Sequence, residues 1–203
     1  MTDADRALLA SRPDLAAIVQ WVAPGARVLD LGCGDGALLD YLWKERQAHG
    51  YGVEIDDAKV VACVANDVNV LQMNLEGGLS LFGDQSFDCV ILSQTLQAVR
   101  HTEDILREML RVGREAIVSF PNFGHWSARL QVALGGHMPV SGSLPFQWYD
   151  TPNVHLCTVT DFEDLARRLG VRIRERVVMH EGKPVSLLPN LLGSLAVYRM
   201  SAR

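Results

Sequence analysis

Three alternating glycines follow an acidic residue in the segment VLDLGCGDG. Gly32, Gly34 and Gly36 come directly after a short apolar run that contains Asp30. Glycine allows a left-handed backbone and a close approach to a ligand. Because the following residues carry apolar side chains at helical spacing, the segment predicts a strand, a glycine turn and a helix. Such a turn, at the carboxyl end of a first strand, is typical of a site for a nucleotide-like ligand.

A second acidic residue, Glu54, ends the next predicted strand, YGVEI. A carboxylate there can accept hydrogen bonds from both hydroxyls of a ribose. Gly32, Gly34 and Ala37 also satisfy the G-x-G-x-x-G/A spacing, so the glycines alone leave NAD open. Asp30 discriminates better, because a carboxylate repels a pyrophosphate and attracts an ammonium group. S-adenosylmethionine carries a sulfonium and an ammonium group beside its ribose, and it fits these acids better than NAD does.

The pattern D-x-G-x-G-x-G from Asp30 to Gly36, followed by Glu54, resembles that of the class I S-adenosylmethionine-dependent methyltransferases. The resemblance covers the chain from about residue 14 to 120. It implies that backbone groups of the glycine turn contact the methionine part of S-adenosylmethionine, or of its product S-adenosylhomocysteine. It also implies that Glu54 contacts the ribose and Ile55 the adenine.

This chain departs from the methyltransferase pattern after the third predicted strand. The family often has an Asp there, toward the adenine amino group, whereas this chain has Asn74, followed by Leu75. The side-chain oxygen of Asn is still an acceptor. The cofactor-binding residues predicted in this way are Asp30, Gly32, Cys33, Gly34, Gly36, Glu54, Ile55, Asn74, Leu75 and Ser93.

Segments outside this core extend the resemblance to nearly the whole chain. FDCVILSQTLQAV, FPNFGHW, LPFQWYDTPNVHLCT and LLPNLLGSLAVYRM resemble the methionine biosynthesis protein MetW family. That resemblance implies a role in methionine biosynthesis and homoserine O-acyltransferase as a partner, without identifying a methyl acceptor. Two functions stay open: a methyltransferase that acts on a small molecule, or a non-catalytic cofactor-binding subunit that activates or regulates the acyltransferase.

The alternation of strands and helices predicts a single α/β domain over residues 1–203 with a Rossmann-like methyltransferase fold. Seven strands are expected in a mostly parallel sheet, and the resemblance implies that the last strand is antiparallel. A first helix is predicted to begin with Asp14 as its N-cap. Residues 121–160 interrupt the alternation with prolines and aromatic residues and are expected to form a lid after strand 5.

No residue can be assigned a catalytic role from the sequence. Ser93-Gln94-Thr95, after the fourth strand, lacks the residues typical of nucleobase methyltransferases and the acid of a catechol-type magnesium site. A base is needed only for some acceptors. Either His125 or His155 in the lid could act as this base, although histidines in a long loop more often hold the loop in place. An acceptor pocket in the lid would be lined by His125, Trp126, Trp148, Tyr149 and His155.

Three arginines alternate in the sixth predicted strand, VRIRERVVM. Arg172, Arg174 and Arg176 would share one face of a regular strand. This basic stripe is either a solvated sheet face or a docking site for an acidic partner. The segment LLPNLLGSL could add an apolar docking patch.

Composition limits the function classes. The 203 residues carry 19 Lys and Arg against 24 Asp and Glu, a formal charge of -5, which argues against nucleic acid as a partner. There is no run of 18 apolar residues, so we expect no membrane partner.

The four cysteines lack C-x-x-C spacing, which predicts reduced thiols and no metal site. The first residues do not resemble a secretory signal, so a cytoplasmic protein is expected.

Overall fold

The computed structural model describes residues 3–202, and this part of the chain contains one sheet of eight strands. The strands lie in the order β3-β2-β1-β4-β5-β8-β6-β7. Their bounds are β1 Arg27–Leu31, β2 His49–Glu54, β3 Val70–Gln72, β4 Phe87–Ser93, β5 Gly113–Pro121, β6 Arg172–His180, β7 Lys183–Pro184 and β8 Leu195–Ser201.

Strands β1 to β5 are parallel, whereas β8 runs antiparallel between β5 and β6. The predicted Rossmann-like methyltransferase fold is confirmed, including the antiparallel last strand. The additional strand, β7, has two residues and pairs only with the end of β6. The glycine turn follows β1, and β1 lies between β2 and β4, so the carboxyl ends of these strands surround the turn.

Helices cover both faces of the sheet. Successive residues of β4 point to opposite faces: Val90 packs in one apolar cluster with α5 and α7, and Ile91 packs in the other with α2 and α3. The helix bounds are α1 Asp3–Ser11, α2 Asp14–Trp21, α3 Ala37–Arg46, α4 Asp57–Ala65, α5 Thr102–Val112, α6 Trp126–Gly135, α7 Val159–Arg168 and α8 Pro189–Leu192. None of the helices within residues 3–202 is both long and apolar enough to span a membrane.

The segment predicted as a lid, residues 121–160, contains α6 and an irregular stretch that leads to α7. The irregular stretch is fastened to the turn that follows β4. The backbone N–H groups of Val154 and His155 both donate to the carbonyl of Gln97. The His155 ring also donates from Nε2 to the carbonyl of Arg100, at 2.9 Å. His155 therefore holds the loop in place.

The predicted role of Asp14 as an N-cap is wrong. Helix α2 begins at Asp14, but Pro13 occupies the N-cap position and no side chain caps the helix. The Asp14 carboxylate is fully buried and accepts hydrogen bonds from strand residues instead.

The predicted arginine stripe is also wrong, because a β-bulge interrupts β6 between Ile173 and Glu175. Arg172 pairs with Ser201, and Arg176 pairs with Tyr198. Paired residues share a face of the sheet, and two residues three positions apart in one strand lie on opposite faces. Arg172 and Arg176 therefore point away from each other. Arg176 also forms an ion pair with Glu163, at 2.7 Å.

Candidate ligand-binding site

The glycine turn has a backbone that other residues would strain. Gly32 and Gly36 have φ values of +74° and +82°, in the left-handed region. A Cβ on Gly32 would lie 2.6 Å from Oγ1 of Thr95, and one on Gly36 would lie 2.9 Å from Cγ2 of Val68. The turn thus packs tightly at two of its three glycines. Gly34 also has a positive φ, but a Cβ there would meet open space.

The side chain of Glu54 ties the glycine turn to the end of β2. Its Oε2 accepts a hydrogen bond from the N–H of Gly34 at 2.9 Å. Its Oε1 accepts from the N–H groups of Ile55 and Asp56 at 2.8 and 3.0 Å. The carboxylate is buried and is held by three backbone donors. Its position next to the turn is the one that the sequence predicts.

A cavity of about 400 Å³ opens beside this turn, and we call it the first cavity. Half of the ten predicted cofactor-binding residues line it: Gly32, Glu54, Ile55, Asn74 and Leu75. Lys59, Gln94 and Thr95 add further polar groups to the lining. Residues from the ends of β1, β2, β3 and β4 therefore meet around one space.

Asn74 stands at the edge of the first cavity and begins a short 3-10 helix, Leu75–Gly77. Its Oδ1 accepts a hydrogen bond from the N–H of Glu76 at 3.0 Å. Among the described residues, its amide nitrogen has no hydrogen-bond partner. Asn74 consequently offers N–H donors to a ligand more readily than it offers an acceptor.

The other five predicted residues do not line the first cavity. Gly34 and Gly36 shape the turn. Cys33 is buried, and its Sγ lies 3.8 Å from Sγ of Cys63. Ser93 belongs to a hydrogen-bond network centred on Asp14.

Asp30 is 2% exposed and lies in β1, two residues before Gly32. Burial raises its pKa to about 7; the Arg12 guanidinium opposes this shift, and the carboxylates of Glu54 and Asp14 add to it. A carboxyl group in this setting gains from a cationic group of a ligand, because that cation would stabilise its charged form.

A second cavity of about 340 Å³ lies near the carboxyl ends of β4, β5 and β6. Gln94 lines both cavities, so both lie next to the end of β4. Of the five residues predicted to form an acceptor pocket in the lid, His125 lines the second cavity. Trp126, Trp148, Tyr149 and His155 do not, and Trp148 and Tyr149 are each more than 70% exposed.

His125 has an unusual environment in the second cavity. Its Nδ1 lies 2.8 Å from Oγ of Ser127, and its ring stacks on His180 with centroids 4.7 Å apart. Burial lowers the pKa of His125, and the nearby His180 lowers it further. Within the described part of the chain, its buried Nε2 has no hydrogen-bond partner. The neutral form of His125 is favoured at neutral pH.

Asp14 is the site residue that the sequence reasoning missed. Its Oδ2 accepts hydrogen bonds from the hydroxyls of Ser93 and Ser119, each at 2.7 Å. Its Oδ1 accepts from Nε2 of Gln94 at 3.1 Å. Arg12 donates to both oxygens at 3.1 Å. The network joins α2 to the ends of β4 and β5, and it includes Gln94, the residue that lines both cavities. The only sequence signal for it is an acid at the start of an apolar helix.

Comparison with known proteins identifies the family. The chain matches the family described as methionine biosynthesis protein MetW over residues 12–200. The chain belongs to the MetW family. One relative is the bifunctional methionine biosynthesis protein MetXA/MetW of Rhodopirellula baltica, 39% identical over 173 residues. The match covers 81% of this chain but only 28% of that relative, so the MetW-family chain spans less than a third of its length.

Two kinds of methyltransferase resemble this MetW-family chain more distantly. The 2-phytyl-1,4-naphtoquinone methyltransferase of Synechococcus elongatus is 34% identical over 104 residues, 46% of this chain and 45% of that enzyme. Among solved structures, an S-adenosylmethionine-dependent methyltransferase from Archaeoglobus fulgidus has a TM-score of 0.71 at 17% identity, covering 96% of this chain and 93% of that one. One from Thermotoga maritima has a TM-score of 0.67 at 20% identity, covering 99% and 95%. These structures share the fold of this chain.

Proposed function

We propose that this MetW-family protein binds S-adenosylmethionine in the first cavity and transfers its methyl group to a small molecule in the second cavity, as part of methionine biosynthesis. The observation that carries this proposal is that one residue, Gln94 at the end of β4, lines both cavities. Methyl transfer requires a donor and an acceptor aligned in one space, and the protein contributes chiefly that alignment.

The residues around the first cavity fit S-adenosylmethionine. Glu54 offers a carboxylate to the ribose. Ile55 is 59% exposed, and its apolar side chain is available to a face of the adenine. Asp30 does not line the first cavity, but its buried carboxyl group lies two residues before Gly32 and would attract the ammonium group of the ligand. A dinucleotide would instead bring a pyrophosphate toward this acid, which is electrostatically unfavourable. When bound, S-adenosylmethionine supplies an electrophilic methyl group on a positively charged sulfur.

Calorimetry with S-adenosylhomocysteine tests the cofactor. The wild-type chain is expected to bind it, and Glu54→Gln is expected to weaken binding at least tenfold, because a ribose hydroxyl loses a charged acceptor. Glu103→Gln, on the exposed surface of α5, is the matched control and should bind normally. No binding at millimolar S-adenosylhomocysteine, or binding of NAD in its place, would overturn the proposal.

Methyl transfer can be tested although the acceptor is not identified. The protein is incubated with S-adenosyl-[methyl-¹³C]methionine and a deproteinised cell extract, and new labelled small molecules are sought by mass spectrometry. Product should form with the wild-type chain and not with the Glu54→Gln variant. The absence of any labelled product would contradict the catalytic function while leaving cofactor binding intact.

A second function is favoured by the relative from Rhodopirellula baltica, in which the region like this chain is part of a protein named MetXA/MetW. In this alternative, the chain binds S-adenosylmethionine or S-adenosylhomocysteine and regulates homoserine O-acyltransferase. Exposed apolar side chains are available for docking, notably Trp148, Tyr149 and Leu187, each more than 70% exposed.

Co-purification with homoserine O-acyltransferase tests this alternative. The acyltransferase rate is measured with and without the chain, and with and without S-adenosylhomocysteine. A regulatory subunit should form a complex, change the rate and respond to the ligand. Trp148→Ala should weaken the complex, whereas Trp43→Ala, on α3, should not. If no complex forms and the rate is unchanged, the regulatory function is wrong.

A further inference from the structure

Gln94, which lines both cavities, has a strained backbone. It directly follows β4, and its φ of +50° lies in the left-handed region, which residues other than glycine rarely adopt. Strain of this kind costs free energy and persists where surrounding contacts enforce it. The contacts that hold Gln94 in this conformation therefore indicate the role of its side chain.

Hydrogen bonds fix both the backbone and the side chain of Gln94. Its backbone N–H donates to the carbonyl and the hydroxyl of Ser119, at 2.9 and 3.1 Å. Its carbonyl accepts from Nε2 of Gln97 at 2.7 Å. Its own Nε2 donates to the buried Asp14 carboxylate at 3.1 Å. The amide group is therefore held by its nitrogen in one orientation.

The side-chain oxygen of Gln94 remains available. No donor among residues 6–202 hydrogen-bonds to its Oε1, and this residue lines both cavities. An amide oxygen is a hydrogen-bond acceptor and, near neutral pH, not a base. The oxygen can therefore accept a hydrogen bond from a ligand group that carries a proton on nitrogen or oxygen.

The lining of the second cavity favours one class of ligand. Among the described residues that line it, Glu181 is a carboxylate, and none is Lys or Arg. Serine hydroxyls and the two imidazoles make up much of its remaining polar surface. An acceptor with a carboxylate or phosphate as its main group would find no lysine or arginine in that lining, whereas an amine would be favoured by the charge of Glu181.

We propose that Gln94 positions the methyl acceptor, and that the acceptor is a small amine whose N–H donates to Oε1 of Gln94. The inference rests on the proposed methyl transfer and adds a residue and a substrate class to it. The nitrogen lone pair of the neutral amine forms a bond to the methyl carbon as the carbon–sulfur bond breaks. An amine that enters as its ammonium form first releases one proton to solvent. The positive charge then passes from sulfur to the methylated nitrogen, which keeps its remaining proton, so the transfer step itself needs no base from the protein.

Sinefungin provides a probe for Gln94 without a known acceptor. In this analogue a carbon bearing an ammonium group replaces the sulfur and methyl group of S-adenosylmethionine, so that N–H donors lie near the place where the methyl group is transferred. S-adenosylhomocysteine has no such donors. In the wild-type chain, calorimetry should show sinefungin binding at least tenfold more tightly, because a hydrogen bond to a charged group forms at Oε1.

Gln94→Met removes the acceptor and retains an unbranched side chain. It should abolish the preference for sinefungin and change the affinity for S-adenosylhomocysteine less than threefold. Gln85→Met is the matched control, because Gln85 also has a φ of +50° but is exposed at the opposite end of β4. An unchanged preference in Gln94→Met would overturn the role of Gln94. Failure of the wild-type chain to bind S-adenosylhomocysteine would instead overturn the proposed function.

A separate measurement tests whether the acceptor is an amine. The ¹³C-methyl product formed from the cell extract is isolated, and its ¹³C NMR spectrum distinguishes a methyl group on nitrogen from one on oxygen, sulfur or carbon. An N-methyl product is expected. A methyl group on any other atom would overturn the amine class, and the absence of product would remove the catalytic function on which the inference rests.

Discussion

The hydroxyl of Ser119 in β5 donates a 2.7 Å hydrogen bond to Oδ2 of Asp14, a residue 105 positions earlier in the chain. Ser93, at the end of β4, donates to the same oxygen at the same distance. A single buried carboxylate therefore connects the start of α2 to two central strands. Because Gln94 donates to its other oxygen, the carboxylate also orients the side chain that lines both cavities.

Asp14→Asn is expected to destabilise the fold by ~3 kcal/mol, because it leaves the Arg12 guanidinium without its charged partner and gives two serine hydroxyls a poorer acceptor. Urea unfolding at pH 7 measures the change. Asp164→Asn, whose side chain is 61% exposed on α7, is the matched control and should change the free energy of unfolding by less than about 1 kcal/mol.

The Asp14 contribution should also depend on pH. Burial alone would raise its pKa, but the hydrogen bonds and charge of Arg12 and the two serine hydroxyls outweigh burial and lower the pKa below its ordinary value of 3.8. A carboxyl group whose folded pKa is depressed stabilises the fold above its unfolded pKa and loses that contribution in acid. Equal destabilisation by Asp14→Asn at pH 7 and pH 3 would contradict this.

Asp30 should give the opposite pH dependence. Burial raises its folded pKa from 3.8 to about 7, so its favourable contribution is complete below about pH 4 and is lost as the pH rises through 7. Asp30→Asn removes this titration. Relative to the variant, the wild-type chain should lose ~2–3 kcal/mol of unfolding free energy between pH 5 and pH 8.

Urea unfolding of both proteins at several pH values measures the Asp30 effect. Asp104→Asn, with a side chain 73% exposed on α5, controls for the loss of one carboxylate and should follow the wild-type curve. A constant difference between the wild-type chain and Asp30→Asn across this range would show that Asp30 does not titrate near pH 7.

Gly32→Ala should destabilise the fold by ~2–4 kcal/mol, from the left-handed backbone together with the contact between the new methyl group and Oγ1 of Thr95. Gly34→Ala separates these causes, because it has the strain without the contact and should cost ~1–2 kcal/mol. Adding Thr95→Ala to Gly32→Ala should recover part of the loss. If the double variant is no more stable than Gly32→Ala, the contact is not a cause.

The sequence predicted the parts of the site that depend on local pattern. The glycine turn and the place of Glu54 follow from residues close together in the chain, and the order of strands fixes where they meet. The Asp14 network was missed because its partners in and after the strands, Ser93, Gln94 and Ser119, lie 79 to 105 positions away, and nothing in an acid before an apolar helix indicates where its carboxylate points. The prediction of an arginine stripe was wrong because of a single β-bulge, since one extra residue moves the following side chains to the other face of the sheet.

The four thiols should react slowly in the folded protein. Burial raises the pKa of Cys33, Cys63 and Cys89, and it raises the pKa of the half-buried Cys157 to about 12. Since the thiolate is the nucleophile, reaction with an aromatic disulfide reagent at pH 8 should be at least about a hundredfold slower than that of a free thiol. All four cysteines should react promptly in about 6 M guanidinium, because that concentration unfolds even very stable domains.

Alkylation followed by peptide mapping identifies which thiol reacts first, and Cys157 is expected to do so because it is the most exposed of the four. Cys157→Ser should therefore remove the earliest phase of the reaction in the folded protein. Prompt labelling of Cys33 or Cys63 in the wild-type chain would contradict the prediction, because both sulfur atoms are buried between the glycine turn and α4. Such labelling would mean that the turn opens readily, and S-adenosylhomocysteine should then slow it if the ligand holds the turn closed.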